Sequence, residues 1–336
     1  MMKAQHFAAD WHLAEVFLIL SVLTVGVPVF FGPAMAADDS YPSRPVKFIL
    51  PFPPGSGTDV QGRAVANEMS RAIGQPVIVE NRAGGNGFIA TEQVARAVPD
   101  GYTALMTSNS HLANKFLFKS IPYDPIRDFK SVTLLKKVSP LILVVSANSE
   151  YKSLADVTRK ARQAPGKLSY GSGNSSSRVA AEMFKQIIGA EVLYVPYKGN
   201  PEALNDVATG RVDLMFSDAV AFLPLWRAGR LRALVSTGPE KAPQLPDLPT
   251  SAAEGMPALD IGSWGMVLLP VMATDAVADK LNAIIRAALR TESVRQSFYQ
   301  GNSEAYGTTR AELDRFMGIE LAKWGDAIRK AGIPPE

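Results

Sequence analysis

The sequence predicts an α/β protein of two domains, and three observations carry that prediction. Short apolar runs alternate with amphipathic stretches of helical period from residue 46 to residue 270. Gly, Pro and Ser gather where those runs end, as they do where strands turn into helices. The chain has 336 residues, enough for two cores of ordinary domain size even after a leader is set aside.

The first element is that leader. Residues 16–31 form an apolar run broken only by Ser21, Thr24, Gly26 and Pro28, and Ala34, Met35 and Ala36 follow it, the pattern of an export signal peptide over residues 1–36 that is cleaved after Ala36. The run is shorter than the ~20 residues a spanning helix needs, and it contains a proline.

Residues 46–52 are almost wholly apolar, as in a parallel strand covered on both faces, and Pro51, Pro53 and Pro54 stop its ladder. Gly55 and Gly57 let the chain fold into a concave row of backbone N–H groups. Thr58 with Gln61 fits a capping box for a helix whose apolar positions are Val60, Ala64, Val65 and Met69. An anion at this turn would sit at the positive end of the helix, although an ordinary tight turn accounts for the segment equally well.

Further strands are predicted over residues 77–80, 102–107, 132–135, 141–146, 168–170, 192–196, 212–216, 231–236 and 264–269, and their alternation with helices predicts parallel pairing. Ser153 with Asp156 and Thr309 with Glu312 mark two helix starts. The double run over residues 132–146, broken by Lys136, Lys137 and Pro140, reads as a chain passing from one sheet to a second. The return falls between residues 231 and 269, and helices finish the chain: Val277, Leu281, Ile285 and Leu289 share one face, and Leu313, Met317, Leu321 and Trp324 another. The Pro-rich stretch over residues 239–257 reads as a surface connection.

Composition narrows the function. The chain has no Cys, and two of its three histidines, His6 and His12, lie in the leader, leaving His111. A Cys–His nucleophile is excluded, and a transition-metal site of the usual ligands is disfavoured. Loss of Lys3, Asp10 and Glu15 with the leader raises the formal charge from +3 to +4. A mild positive balance without a basic run argues against nucleic acid and suits a small anion.

Three more loops follow strand ends, where open α/β sheets bind ligands. One carries Ser108, Asn109, Ser110 and His111; another Ser172, Gly173, Asn174, Ser175, Ser176 and Ser177; a third Ser217 and Asp218. Hydroxyls, amides and bare N–H groups suit a carboxylate, which accepts several hydrogen bonds. Singly, each loop is also a set of caps and turns. Asp218 reads as the N-cap of the helix bearing Phe222, Leu223 and Trp226, or as a group that orients loop amides or accepts a ligand donor, and His111 as a packing residue.

Enzyme-like motifs fail on inspection. Gly55, Gly57 and Val60 imitate a dinucleotide fingerprint, but Val60 stands where close helix packing needs Gly or Ala. Gly85, Gly87 and Ala90 fit the spacing without an acidic residue closing the next strand. Ser149 and Lys152 have Ser-x-x-Lys spacing without partner motifs.

Across residues 41–333 the chain resembles the substrate-binding proteins of tripartite tricarboxylate transporters, the TctC or Bug family. The likeness rests on Tyr41-Pro-Ser-Arg-Pro45, Pro51-Phe-Pro-Pro-Gly55, Pro76-Val-Ile-Val-Glu-Asn-Arg82, Pro99-Asp-Gly-Tyr102, Tyr123-Asp-Pro125, Lys167-Leu-Ser-Tyr170, Val195-Pro-Tyr-Lys-Gly199, Val212-Asp-Leu-Met-Phe216 and Leu245-Pro-Asp-Leu-Pro-Thr250. It implies a two-domain periplasmic-binding-protein architecture of type II, a Venus flytrap with two mixed sheets flanked by helices. The expected domains are residues 38–138 with 264–336, and residues 139–263.

The resemblance also implies a monomeric periplasmic receptor that does no chemistry and uses no cofactor or metal. It would close on a small carboxylate (a di- or tricarboxylate, an amino acid or an aromatic acid) and deliver it to a membrane permease. Carried over residue by residue, the ligand site comprises Pro53, Gly55, Ser56, Gly57, Thr58 and Asp59; Ser108, Ser110 and His111; Ser172, Asn174, Ser175, Ser176 and Ser177; and Asp218. Three positions depart from the family pattern. Ser56 replaces a usual Gly, Ser217-Asp218 replaces Asp-Asn, and Arg178 stands where many members carry a smaller residue or His. An inward Arg178 would favour a second acidic group on the ligand, and the reading preferred from sequence is an outward, solvated one. The competing readings are an NAD-dependent oxidoreductase on a similar scaffold and a ligand-presenting sensor for a two-component kinase.

Overall fold

The computed structural model describes residues 41–336, and the expected leader lies outside the described residues. Strand β1 (Val46–Leu50) is covered on both faces: Val46, Phe48 and Leu50 enter one hydrophobic cluster and Ile49 another. Each such side chain contributes about 1.5–3 kcal/mol relative to exposure. β1 lies between β2 (Val77–Asn81) and β3 (Thr103–Ser108), parallel to both. β4 (Phe129–Leu134) completes this sheet through β11 (Gly265–Pro270), which runs antiparallel to both β3 and β4.

A second sheet is built on β5 (Ser139–Ser146). Its residues split in the same way, Leu141, Leu143 and Val145 to one cluster and Ile142 and Val144 to the other. β8 (Leu214–Asp218) and β9 (Leu231–Ser236) run antiparallel to β5, and β6 (Ser169–Ser172) lies parallel to β7 (Leu193–Pro196) and to β8. β10 (Gly262–Ser263), too short to leave a sequence signal, pairs antiparallel with the start of β5. Both sheets are therefore mixed, where alternation alone predicts parallel pairing. The chain changes sheets between β4 and β5 and again between β10 and β11, and the strand entered at each change, β5 and then β11, runs antiparallel to its neighbours.

Helix α1 (Gly57–Ile73) follows β1. Its N-cap is Ser56, whose hydroxyl accepts the Asp59 amide at 3.3 Å. The expected Thr58–Gln61 box does not form. A turn from Pro53 O to Ser56 N brings the Ser56 hydroxyl to the helix start first, and Gln61 Nε2 donates to Ser303 Oγ instead. The other two predicted starts match: Ser153 accepts the Asp156 amide, and Thr309 and Glu312 form a reciprocal capping box.

The remaining helices that frame the strand ends are α2 (Phe88–Ala95), α3 (Ser110–Leu117), α4 (Leu154–Gln163), α5 (Ser175–Ile188), α6 (Asn200–Thr209) and α7 (Ala219–Arg227). Of the closing helices, α8 (Asp275–Leu289) and α9 (Glu292–Gln300) pack on α1, whereas α10 (Arg310–Lys330) serves both sheets. Leu313 and Met317 of α10 join the first sheet's core, and Trp324 and Ile328 join the second's. Between them, Glu320 accepts Trp264 Nε1 at 2.6 Å and Trp324 Nε1 at 3.1 Å.

Candidate ligand-binding cleft

The loops after β1, β3, β6 and β8 come from both sheets and meet along one cleft. Its inner part is a recess of about 20 Å³ lined by Pro53, Ser56, Gly57, Thr58, Ser108, Asn174, Ser176 and Asp218, with Lys136, Asn109, Asn200 and Ser263 completing the wall. That is room for one or two water-sized groups. An outer cavity of about 350 Å³ shares Phe52, Gly173 and Asn174 with the recess and is lined by Ser110, His111, Ser172, Ser175, Arg178 and Tyr194. The size is that of a small-molecule pocket. Of the fifteen residues expected at a ligand, the structure thus brings twelve to the cleft wall. Gly55, Asp59 and Ser177 line neither space.

Those three are engaged elsewhere. The Asp59 carboxylate accepts the Gly55 amide, Arg63 Nε and Asn81 Nδ2, each at 2.9 Å, which fixes the loop between β1 and α1. Gly55 has a φ of +79°, a left-handed conformation that favours glycine. Ser177 donates its amide to the N-cap Asn174, and its hydroxyl is buried without a partner.

The β3 loop presents three consecutive side chains with unpartnered buried atoms: Asn109 Oδ1, Ser110 Oγ and His111 Nδ1. His111 Nε2 lies 2.9 Å from the Pro125 carbonyl, so Nε2 carries the proton and Nδ1 is a bare acceptor. The ring stacks on Tyr123 and meets Phe129 edge-on. Burial pushes its pKa down to about 4, against the opposing effects of the Pro125 carbonyl and Asp124. It is a neutral packing residue with one edge on the cavity.

Asp218 holds the N-cap position of α7, but its side chain accepts no capping hydrogen bond, which leaves the carboxylate free to face the recess. A Cβ placed on Gly57 would lie 3.6 Å from Asp218 Cβ, so the two loops are in direct apposition.

Arg178 corrects the outward reading. Its side chain is 11 % exposed, lies 5.1 Å over the Tyr194 ring, bonds Glu336 Oε1 at 2.9 Å and lines the outer cavity. The helical period after Asn174 decides this, because Arg178 lies one turn beyond the N-cap on the face that looks along the cleft.

Sequence reasoning missed Lys136, Asn200, Tyr194 and the Gly84–Gly87 turn as parts of the cleft wall. Lys136 left a signal, a charged residue inside an apolar double run. The Gly-rich turn left one too, since Gly84, Gly85, Asn86 and Gly87 all have positive φ and bring backbone against the outer cavity. Lys136 is 6 % exposed, and Nζ donates to Ser263 Oγ at 2.9 Å. Burial lowers its pKa, and the negative charge of Asp218 opposes that shift.

Two mixed sheets, two chain crossings and a donor-lined cleft between strand ends define a solute-binding protein of the periplasmic-binding-protein fold, a binder rather than an enzyme. The chain belongs to the family described as the tripartite tricarboxylate transporter family receptor, whose model matches residues 62–333. Among solved structures it is similar to the R. palustris protein Rpa4515 with adipate, at 33 % identity and a TM-score of 0.85 over 88 % of this chain and 100 % of that one. It is likewise similar to the periplasmic binding protein BugD, at 28 % identity and a TM-score of 0.84 over 88 % and 100 % of the two chains. The third is MatC from Rhodopseudomonas palustris with bound malate, at 28 % identity and a TM-score of 0.82 over 86 % and 100 %.

Proposed function

We propose that this protein is a periplasmic receptor that captures a small dicarboxylate between two lobes and delivers it to a membrane permease. The lobes are residues 38–138 with 264–336, and residues 139–263, and residues 1–36 are the export signal. One observation carries the reading: donor-rich loops from both sheets line a single cleft whose outer part is walled by Arg178. Backbone N–H groups at the start of α1 and the hydroxyls of Ser56, Thr58, Ser108 and Ser176 hold one carboxylate in the recess. Ser110, whose hydroxyl has no partner, and Arg178 meet the second. Adipate and malate, bound by two relatives, are both dicarboxylates, which supports that ligand class.

The test is thermal unfolding with a panel of dicarboxylates, monocarboxylates and NAD, beside native mass spectrometry of protein taken from the periplasm. A dicarboxylate should raise the midpoint by several degrees, as about 2.7 kcal/mol of stabilisation at a hundredfold excess over Kd requires. A shift with NAD and none with any acid would reject the proposal.

A further inference from the structure

Lys136 is out of place in an apolar strand crossing. Its ammonium has three donors; one goes to Ser263 Oγ at 2.9 Å, and the other two have no partner among the described residues. No ion pair within 4.0 Å joins it to Asp218, although Asp218 is the charged group that acts on it. A side chain this buried is costly unless something anionic meets it. Both side chains line the inner recess, as do Gly57 and Thr58 from the first turn of α1. Asp218 in turn has a carboxylate that neither caps α7 nor accepts a hydrogen bond among the described residues. The recess therefore sets a cation and a free acceptor on one small space.

We propose that Lys136 is the cationic anchor for the ligand's inner carboxylate, and that Asp218 selects ligands bearing a hydroxyl or ammonium donor on the adjacent carbon. The inference rests on the dicarboxylate-receptor reading and sharpens it to α-hydroxy and α-amino acids. A carboxylate entering the recess takes the two free Lys136 protons together with main-chain donors at the start of α1. The α-substituent then donates to Asp218, whose charge would repel a bare carboxylate placed alone beside it. Lys136 thus orients the acid, and Asp218 fixes which end enters.

Calorimetric titration of the full-length exported protein with the pairs succinate and malate, and adipate and α-hydroxyadipate, tests this. The hydroxylated member of whichever pair binds should bind about tenfold tighter, from one hydrogen bond to a charged acceptor. Lys136→Gln, which keeps a donor for Ser263 and removes the charge, should weaken binding at least about 30-fold, as loss of one partner of a buried charge pair does. Asp218→Ala should bring the hydroxylated acid down to the level of its plain counterpart. Unchanged affinity in Lys136→Gln overturns the anchor, and a retained hydroxyl preference in Asp218→Ala overturns the selection. If the wild type binds none of the four acids, the dicarboxylate reading falls first. A crystal structure of the wild-type complex asks the same question without a variant. A ligand carboxylate oxygen at hydrogen-bond distance from Lys136 Nζ supports the proposal, and an Nζ bonded to Ser263 alone overturns it.

Discussion

At the scale of single residues, burial sets the chemistry more than residue type does. His111 is the one histidine among the described residues, and its pKa falls from the ordinary 6.5 to about 4 because the ring is desolvated. The unfolded chain binds this proton at a pH where the folded chain does not. The stabilisation is therefore complete above 6.5 and is lost as pH falls towards 4, a change of about 3 kcal/mol. Asp156 and Asp275, held at about 2 by hydrogen bonds to cationic or backbone partners, lose their contributions only below the ordinary 3.8. The two windows are separate. Urea unfolding at pH 7 and pH 5 should show the loss in the wild type and a much smaller one in His111→Gln, and equal slopes would show that the ring is not buried neutral. Glu320 makes a second case. Its carboxylate satisfies two buried indoles, so Glu320→Ala should cost about 2–4 kcal/mol by denaturant titration, since both N–H groups are left without an acceptor.

At the scale of elements, the starts of α1, α5 and α6 meet across the cleft, and their glycines set how closely. A Cβ on Gly199, just before α6, would lie 2.2 Å from Pro53 Cγ in the loop before α1, a contact between elements of different sheets. Gly199 has an extended φ of −168°, so alanine is not strained there by its own backbone. Gly199→Ala should therefore leave the melting temperature of the ligand-free protein nearly unchanged and weaken ligand binding about tenfold or more, because it obstructs approach of the two sheets rather than folding of either. An affinity equal to wild type would show that this approach is not needed. Gly173 contrasts with it. A Cβ there would lie 2.0 Å from the Gly199 carbonyl carbon within the same sheet's loops, so the substitution disturbs folding itself.

At the scale of the molecule, three polar contacts span the cleft at the start of α5. Asn109 Nδ2 reaches Ser176 Oγ at 2.8 Å, Ser175 Oγ reaches Asn114 Oδ1 at 2.7 Å, and Arg178 pairs with Glu336. Two hydrogen bonds supply about 1 kcal/mol each. The ion pair, half-exposed on the Glu336 side, adds about 0–1 kcal/mol after solvent screening. Ala113, Leu117, Trp324 and Ile328 also pack into the second sheet's core, and a ligand touching both sides would add to these contacts in the closed form. Small-angle scattering should give a larger radius of gyration without ligand than with a saturating dicarboxylate, and identical values would mean that the lobes do not move. Glu336 already pairs with Arg178, so on the proposed function the ligand's outer carboxylate would replace one acidic partner with another.

Much of this molecule was legible in one dimension. Runs such as Val46 to Leu50 and Leu231 to Ser236 declare themselves because a strand buried on both faces must be apolar throughout, and Thr309 with Glu312 declares a helix start through bonds made within four residues. The polar loops at strand ends were legible for the same local reason, and twelve of their residues line the cleft. What the sequence left open depends on partners far along the chain. Strand direction in β11, the capping of α1 by Ser56 rather than Thr58, the inward turn of Arg178 and the burial of Lys136 against Ser263 are all set by neighbours that only folding delivers. Local hydrogen bonding and burial period are written in adjacent residues. The charge that faces a ligand is decided by which distant segments share the same few ångströms.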